Sequence, residues 1–455
     1  MSIFEKEKKV VTRMAPSPTG HLHIGTARAT LFNYLYAQRN DGKFILRSED
    51  TDKERSKKEY EEEILNGLAS LGITWDEFYR QSERTEIYTG YLQKMIDKGK
   101  AYESEEESKN NPGEKVTVVR LKNPNKEITF TDEIRGEITF DTTELGDFVI
   151  ARSIKDPLYH LTVVVDDHEM EVTHVIRGED HISNTPRQIL IQEAIGADRP
   201  VYAHLPLVLA PDKSKLSKRH GAVMLNEYFE QGFIKESLVN YLALLGWNPG
   251  TDQELFTMDE LIQLFDLSGV QKGGAVFDIE KLKWFNKEHL QNYSNEEYIQ
   301  YIFDAVAPVI EKLPQYDNGR FMRLLPIIRE RVHSSSEAKT YAEEGEYDFA
   351  FKESHLDLEI IKWKNDATVK DALPRLQKLA EIVSTLPDDV TTDEIKDSIW
   401  HFAEETGKGE VLWPLRVALT GQKQSPDPFS VIYVIGPGEA YKRLRKACDT
   451  IISAS

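Results

Sequence analysis

The chain has 455 residues, 40% of them hydrophobic, a single cysteine and a formal net charge of −20. That length supports about two to four domains with substantial cores, while one thiol, Cys448, excludes an intramolecular disulfide framework and any zinc site built on several thiolates. No run approaches the roughly 20 apolar residues of a membrane span and MSIFEKEKKVVTR lacks the apolar segment of a secretory signal, so a cytoplasmic protein that does not meet a membrane is expected.

Taken in chain order, residues 1–100 alternate strand-like and helix-like runs: VVTRMAP (10–16), TARATLFNYLYAQRN (26–40), KFILRSEDTD (43–52), then helical periodicity over 57–72. This βαβα order predicts a parallel sheet with covering helices and ligands at the carboxyl ends of its strands. Residues 101–156 interrupt the pattern with a polar stretch, ESEEESKNNPGEK (103–115), and short alternating runs such as VTVVRL (116–121) and EITF (137–140), which read as a small β-rich insertion. Over 157–210 the α/β pattern resumes, with VVVDD (163–167) and VTHVIRGED (172–180) read as strands, NTPRQILIQEAIG (184–196) as a helix and AHLPLVLA (203–210) as a strand. Strand signals fade over 211–300, and 301–455 reads as helical, punctuated by Pro and Gly near 386–388, 407–409 and 426–438. The acidic balance argues against non-specific attraction to nucleic acid but leaves room for local basic patches at 213–220 (KSKLSKRH), 320–331 (RFMRLLPIIRER) and 442–446 (KRLRK). Any one of them alone reads first as a solvated face.

Two loops carry chemistry. APSPTGHLHIG (15–25) joins the first strand to the first helix: Pro16, Pro18 and Gly20 stiffen and turn the chain, Gly25 allows close approach of backbone to a ligand, and a helix starting near Thr26 aims its N–H groups at the loop. A phosphate fits there, with His21 and His23 as donors that stabilise charge building on phosphorus. Isolated histidines would more simply cap a turn, but a second loop, KLSKR (215–219), follows the last strand of the α/β pattern, and Lys215, Ser217, Lys218 and Arg219 could converge on the same triphosphate.

This pair resembles the HIGH and KMSKS signatures of class I aminoacyl-tRNA synthetases, in the forms His23-Ile24-Gly25-Thr26 and Lys215-Leu216-Ser217-Lys218-Arg219. The ordered series APSPTGHLHIGTARATLFNYL, RSEDTD, VVVDDHEMEVTHVIRGEDHISNTPRQ, KLSKRHGAV, NYLALLGWNP and WPLRVALTGQKQSPDPFSV resembles the bacterial-type glutamyl-tRNA synthetases over nearly the whole chain. The resemblance implies a Rossmann-type α/β catalytic domain in two halves (1–100 and 157–210), an inserted acceptor-binding domain (101–156), a stem-contact region with the KLSKR loop (211–300) and an all-α anticodon-binding domain (301–455). It also implies ATP-dependent attachment of L-glutamate to the 3′ end of tRNA-Glu through a glutamyl-adenylate, by a monomer. Relatives of this family generally need bound tRNA before they activate the amino acid.

Carried over by residue, the resemblance gives ATP to Pro16, Gly20, His23, Gly25, Thr26, Lys215, Ser217, Lys218 and Arg219, with His21, His23, Lys215 and Lys218 as the catalytic groups. It gives glutamate to Arg13, Ala15, Ser17, Glu49, Tyr159 and Arg177. Chemically, Arg13, with Arg177 nearby, suits the substrate's side-chain carboxylate, since arginine pairs a carboxylate through two parallel hydrogen bonds. Glu49 suits its ammonium, and Tyr159 offers a hydroxyl that orients it. Mg²⁺ is expected with ATP, and zinc is not, because AYESEEES stands where some relatives carry a cysteine-rich site. Anticodon contacts are expected from Arg320, Arg323, Arg329, Arg331 and Arg416, each of which could equally cap a helix or join an ion pair. Two departures from the family pattern, Ser48 in RSEDTD and Leu158 in SIKDPLYH, place the pocket rim in question. Two other readings stay open: an enzyme that also charges tRNA-Gln, and a non-catalytic tRNA-binding paralogue.

Overall fold

The computed structural model describes residues 9–107, 113–217, 219, 221 and 223–454. The chain forms two compact units that meet in sequence between His289 and Leu290, about eleven residues before the boundary expected from the periodicity.

The first unit is built on strands β1 (Val11–Met14), β2 (Lys43–Ser48) and β3 (Glu77–Arg80), with helices α1 (Ile24–Arg39), α2 (Lys58–Ser70) and α3 (Thr85–Asp97) following them in turn. Next come β4 (Ala101–Glu107), β5 (Lys115–Leu121), β6 (Glu127–Asp132), β7 (Gly136–Asp141), β8 (Val149–Ser153) and β9 (Asp156–Pro157). Helix α4 (Tyr159–Glu169), β10 (His174–Gly178), α5 (Thr185–Ile195), β11 (Val201–Leu205) and β12 (Val208–Leu209) complete the α/β part. Helices α6 (Leu225–Glu230), α7 (Lys235–Leu244) and α8 (Met258–Leu264), strand β13 (Ala275–Val276) and helix α9 (Ile279–Leu290) follow.

Seven strands form the main sheet in the order β3-β2-β1-β10-β11-β6-β7, parallel throughout except for the antiparallel β6–β7 hairpin. Alternation along each strand sorts its side chains onto two cores. On β2, Phe44 and Leu46 join Leu31, Phe32 and Leu35 of α1 on one face, while Ile45 joins Tyr88, Leu92, Leu161 and Val164 on the other. The same alternation puts Arg13, Arg47, Arg177, His204 and Asp132 on the second face, because each lies two residues from a member of that second core: Val11, Ile45, Val175, Tyr202 and Phe130. Between α1 and β2 the chain turns tightly at Gly42, where a Cβ would sit 2.5 Å from the carbonyl oxygen of Val10, so only glycine fits.

Two expectations are corrected. VVVDD (163–167) is not a strand but the middle of α4, with Leu161, Val163, Val164, Val165, Asp166 and Asp167 all buried. A short apolar run fits a buried strand and a buried helix equally well, and here packing against α5 and α3 decides. The segment 101–156 is not one separate insertion: β4, β5, β8 and β9 form their own antiparallel sheet, whereas β6 pairs with β11 and carries β7 into the main sheet. Ile128, Phe130 and Asp132 alternate inward along β6 and cover the second core.

The second unit contains helices α10 (Asn295–Ile310), α11 (Asn318–Arg331), α12 (Ser335–Glu343), α13 (Asp348–Phe351), α14 (Leu373–Ser384), α15 (Thr392–Thr406), α16 (Lys408–Thr420), α17 (Pro428–Ile435) and α18 (Pro437–Ser453). Breaks fall where Pro and Gly predicted them, at Pro387, Gly407 and Gly436, and a further one falls at Gly421. Helix α18 buries Ala440, Leu444, Ala447, Cys448 and Ile451 at helical spacing, packing on α14 and α16.

Candidate active site

At the carboxyl ends of β1, β2, β10 and β11 a cavity of about 570 Å³ opens. Strand order reverses at β1, which lies between β2 and β10, and open α/β sheets bind ligands at such a switch point. All six residues expected to hold glutamate line it: Arg13, Ala15, Ser17, Glu49, Tyr159 and Arg177. So do Pro16, Gly20, His21, His23, Gly25, Thr26 and Lys215 of the expected nucleotide set. Ser217 and Arg219 lie beyond the lining, Arg219 donating to Ser214 Oγ at 3.1 Å. Lys218 falls outside the described residues.

The histidine loop reaches the cavity with its chemistry preset. His23 is the N-cap of α1: its Nδ1 accepts the Gly25 N–H at 3.0 Å, which starts the helix at Ile24 rather than Thr26. Capping fixes the neutral tautomer and leaves Nε2–H as a donor. Burial, then the nearby Lys215, holds the imidazole below its ordinary pKa and so keeps it neutral. His21 is more exposed, bonded through Nδ1 to Glu63 Oε2 at 2.5 Å and edge-on to the Tyr60 ring. From the second loop the Lys215 ammonium reaches to 3.6 Å from Asp180 Oδ2.

Of the three arginines that line the cavity, Arg28 donates from Nη1 to the Pro206 carbonyl at 2.8 Å, and the two expected to hold glutamate differ in a way the sequence does not reveal. Arg13 donates from Nε and Nη2 to the two oxygens of Asp167, at 3.2 and 3.4 Å. Asp167 also accepts from Arg47 Nη1 at 2.8 Å, and Arg47 Nη2 reaches Glu49 Oε1 at 3.3 Å. Beside it, Asp166 gathers Arg84, Gln81 and Tyr88 at 2.7–2.9 Å. Burial works against the Asp167 carboxylate, but Arg13 and Arg47 outweigh it and keep it below the usual range. Arg177, equally buried, bonds no carboxylate among the described residues: Nε–H donates to His204 Nε2 at 3.1 Å, and Nη2 donates to Thr185 Oγ1 at 2.9 Å and the His181 carbonyl at 3.5 Å. Desolvation lowers its pKa from the ordinary value, as it does for a buried cation lacking a close anion. Glu49, 8% exposed, is pushed up by burial despite Arg47 and Arg13. An ammonium placed against it would bring that value back down.

Several contributors were not singled out from the sequence. Asp166 and Asp167 were hidden by the strand reading of VVVDD; at helical spacing both fall on the same turn of α4. His181 lines the cavity, and its Nδ1 lies 3.3 Å from the Tyr159 hydroxyl. Burial and Arg177 push its pKa down to about 4, so it is neutral at pH 7. Ser48 lies on the face of β2 opposite Arg47 and Glu49, toward Glu61 of α2. Burial works against that carboxylate, but Arg80 holds it below the usual range. This departure from the family pattern therefore touches α2 rather than the pocket rim. Leu158 is the N-cap of α4 and is not part of the lining.

In the second unit four of the five expected anticodon arginines are engaged within their own fold. Arg320 Nη1 donates to the Ala350 carbonyl, Arg323 Nε to that of Val434, and Arg329 Nη2 to those of Leu290 and Tyr293, its guanidinium also lying 4.5 Å from the Tyr298 ring centroid. Arg331 pairs with Glu346. Arg416 is partly exposed and its side chain makes no hydrogen bond or ion pair among the described residues. No group of three or more His, Cys, Asp or Glu side chains that could hold a metal ion occurs among the described residues, and no described helix is long and apolar enough to cross a membrane.

Comparison with known proteins identifies the family. The catalytic-domain family described as tRNA synthetases class I (E and Q) matches residues 9–110 and 103–284, and an anticodon binding domain family matches 284–448. A glutamate–tRNA ligase of Carboxydothermus hydrogenoformans is 40% identical, over 96% of this chain and 99% of that protein. Another, from Aquifex aeolicus, is 39% identical over 97% and 99%. The crystal structure of a glutamate tRNA ligase from Elizabethkingia meningosepticum, in complex with its amino acid, superposes with a TM-score of 0.85 at 32% identity, covering 98% of this chain and 100% of that one. With its switch-point cavity, its capped histidine loop and these full-length relatives, the chain belongs to the class I tRNA synthetases (E and Q), and within them to the glutamate–tRNA ligases.

Proposed function

We propose that this chain activates L-glutamate with ATP and transfers it to the 3′-terminal ribose of tRNA-Glu. The observation that carries the reading is a cavity in which Arg177, a buried guanidinium bonded to no carboxylate among the described residues, and Glu49, a buried carboxylate, share one space with the histidine loop. Glutamate satisfies both: its side-chain carboxylate meets Arg177, with Arg13 beside it, and its ammonium meets Glu49 while Tyr159 orients the backbone end. The α-carboxylate is then left to face the nucleotide loop.

In the first step an α-carboxylate oxygen attacks the α-phosphorus of ATP, the bond to the bridging oxygen breaks, and pyrophosphate leaves with the Mg²⁺ that arrived on the nucleotide. There is little covalent work for the protein, so positioning and charge stabilisation carry the rate. His23 Nε2–H, the α1 N-terminus, His21 and the KLSKR lysines supply donors to the developing charge. In the second step the terminal 2′-hydroxyl of tRNA attacks the activated carbonyl and loses its proton, and AMP leaves. No protein nucleophile and no zinc are required. Every group used comes from one chain, so a monomer suffices, and the reaction belongs in the cytoplasm where tRNA and ATP are available. The segment 101–156 would meet the acceptor end, 211–289 the stem beyond it, and the second unit the anticodon, with Arg416 the one of the five expected arginines that has no partner among the described residues.

The test is glutamate-dependent charging of purified tRNA-Glu and tRNA-Gln. Charging of tRNA-Glu with release of AMP and pyrophosphate is expected. Failure to charge either tRNA would overturn the reading, and charging of both would make the enzyme a non-discriminating one.

A further inference from the structure

Arg177 is held by a buried chain of hydrogen bonds that begins in the β6–β7 hairpin, outside the expected glutamate pocket. Strands β6, β11 and β10 are neighbours in the sheet, and His204 stands directly opposite Arg177 in the register of β11 and β10. His204 Nδ1 lies 2.6 Å from Asp132 Oδ2, with both side chains completely buried. On its other edge His204 Nε2 accepts from Arg177 Nε–H at 3.1 Å and lies 3.3 Å from the Thr185 hydroxyl. Arginine can only donate, so Nε2 carries the lone pair and Nδ1 the proton.

We propose that Asp132 and His204 are positioning residues that set the orientation of Arg177, and through it the preference for a carboxylate over an amide on the substrate side chain. The proposal rests on the reading of Arg177 as the group that meets that carboxylate.

The arrangement does something a direct Asp–Arg pair would not. Asp167, bonded to Arg13, orients that guanidinium and offsets its charge at once. At Arg177 a neutral imidazole stands between guanidinium and carboxylate, so the plane is fixed through Nε and Nη2 while the charge stays uncompensated by any adjacent anion. Nη1, with two protons, has no partner among the described residues and is left for the occupant of the cavity that Arg177 lines. An amide in place of the substrate carboxylate would leave this buried cation unpaired, which is the condition for strong discrimination. Asp132 is itself immobile. Its Oδ1 accepts the backbone N–H groups of Ile134 at 3.0 Å and Arg135 at 2.8 Å, and the His204 N–H lies 3.1 Å from Oδ2. Burial opposes the Asp132 charge, but His204 and those amides hold its pKa below the usual range. Burial likewise keeps His204 neutral, with Arg177 adding to it.

The same bonds specify what Asp132→Asn does. Two backbone N–H groups claim one oxygen position, so the asparagine must keep its oxygen there and turn its NH₂ toward His204 Nδ1. The imidazole proton is then driven to Nε2, against Arg177 Nε–H, and two donors face each other. His204→Gln, by contrast, can keep an acceptor oxygen near the Nε2 position. Glutamate and glutamine activation are measured by pyrophosphate exchange with saturating tRNA, together with thermal melting. Asp132→Asn is expected to raise KM for glutamate about 10–100-fold, the range typical of groups that orient a ligating side chain. The glutamate-over-glutamine ratio should fall by a similar factor, with KM for ATP unchanged and the fold intact, and His204→Gln should recover part of the loss seen in His204→Leu. An Asp132→Asn enzyme that keeps the parent KM and ratio, while Arg177→Ala loses them, overturns the relay alone. Arg177→Ala without effect on the ratio overturns the carboxylate reading and the relay with it. ¹⁵N NMR of the unmutated protein reads the tautomer directly, without any variant that must fold: a protonated Nδ1 and bare Nε2 are expected at His204, and the opposite tautomer overturns the proposal.

Discussion

At the scale of single residues, the pocket arginines and the capping histidine carry different loads. Arg13 already has a carboxylate, whereas Arg177 acquires one only from a ligand. Arg177→Ala is therefore expected to lower kcat/KM for glutamate by on the order of a hundredfold and to erase selection against glutamine, a loss of about 3 kcal/mol for a buried charged hydrogen bond. Arg13→Ala should change the glutamate-to-glutamine ratio less, because part of its charge is offset by Asp167, and cost more stability, because Asp167 loses a partner. Steady-state exchange kinetics and melting of both variants check this, and a larger loss of selectivity in Arg13→Ala would reverse the assignment. His23 combines two functions in one ring, the cap through Nδ1 and the donor through Nε2. His23→Ala should cost about 1 kcal/mol of stability for the lost cap and on the order of 10²–10³ in turnover for the lost donor. His23→Asn should restore the melting temperature, since asparagine caps well, without restoring the rate. Rate and stability recovering together would show that His23 acts only as a cap.

At the scale of elements, α4 decides much of the site and was the least legible from sequence. Its apolar run gives no period that separates a buried helix from a buried strand, and only in the helix do Asp166 and Asp167 fall side by side to anchor Arg13, Arg47 and Arg84. By contrast β1, α1, β2 and α2 were readable, because Pro, Gly and polar residues bound runs whose alternation matches the two cores. The lining of the pocket was readable too, since it sits on motifs at strand ends. The Asp132–His204 chain was not, because a hydrogen bond between residues 72 apart depends on strand order that no local pattern encodes. Helix α4 also carries His160, whose ring packs on Tyr159 and whose buried Nδ1 has no hydrogen-bond partner among the described residues. Burial, then Arg187 and Arg177, push its pKa from 6.5 down to about 4. The unfolded chain thus binds a proton that the folded one refuses, so the stability from this group is complete above pH 6.5 and drains away as pH falls toward 4. His160→Phe keeps the ring and removes the titration. Its melting temperature relative to the parent is expected to rise steadily as the pH falls through that window and to level off below it; a difference independent of pH would show that His160 is not the group responsible.

At the scale of the whole molecule, a protein of net charge −20 must meet a polyanion through selected surfaces rather than through its overall field. The proposed function places one such surface on each of the two units. Residues 1–289 hold both faces of the sheet, the cavity and the KLSKR loop, and residues 290–455 match an anticodon binding domain. The acceptor end and the anticodon of a tRNA lie at opposite extremes of that molecule, so the proposed function assigns chemistry and anticodon reading to different units. Expressed alone, residues 1–289 contain two complete hydrophobic cores and are expected to melt cooperatively and to bind ATP and glutamate with affinities near those of the full chain. Charging by the fragment should be weak, and equally weak for tRNA-Glu and for a variant with an altered anticodon, whereas the full chain should prefer the former. Supplying residues 290–455 as a separate chain should not restore full charging, because the covalent link gives the second contact a high effective concentration that two free chains lack. A folded fragment that still charged tRNA-Glu at full efficiency and rejected the altered anticodon would move anticodon recognition into the first unit. In that case Arg416 and the rest of the second unit would have no part in choosing the tRNA.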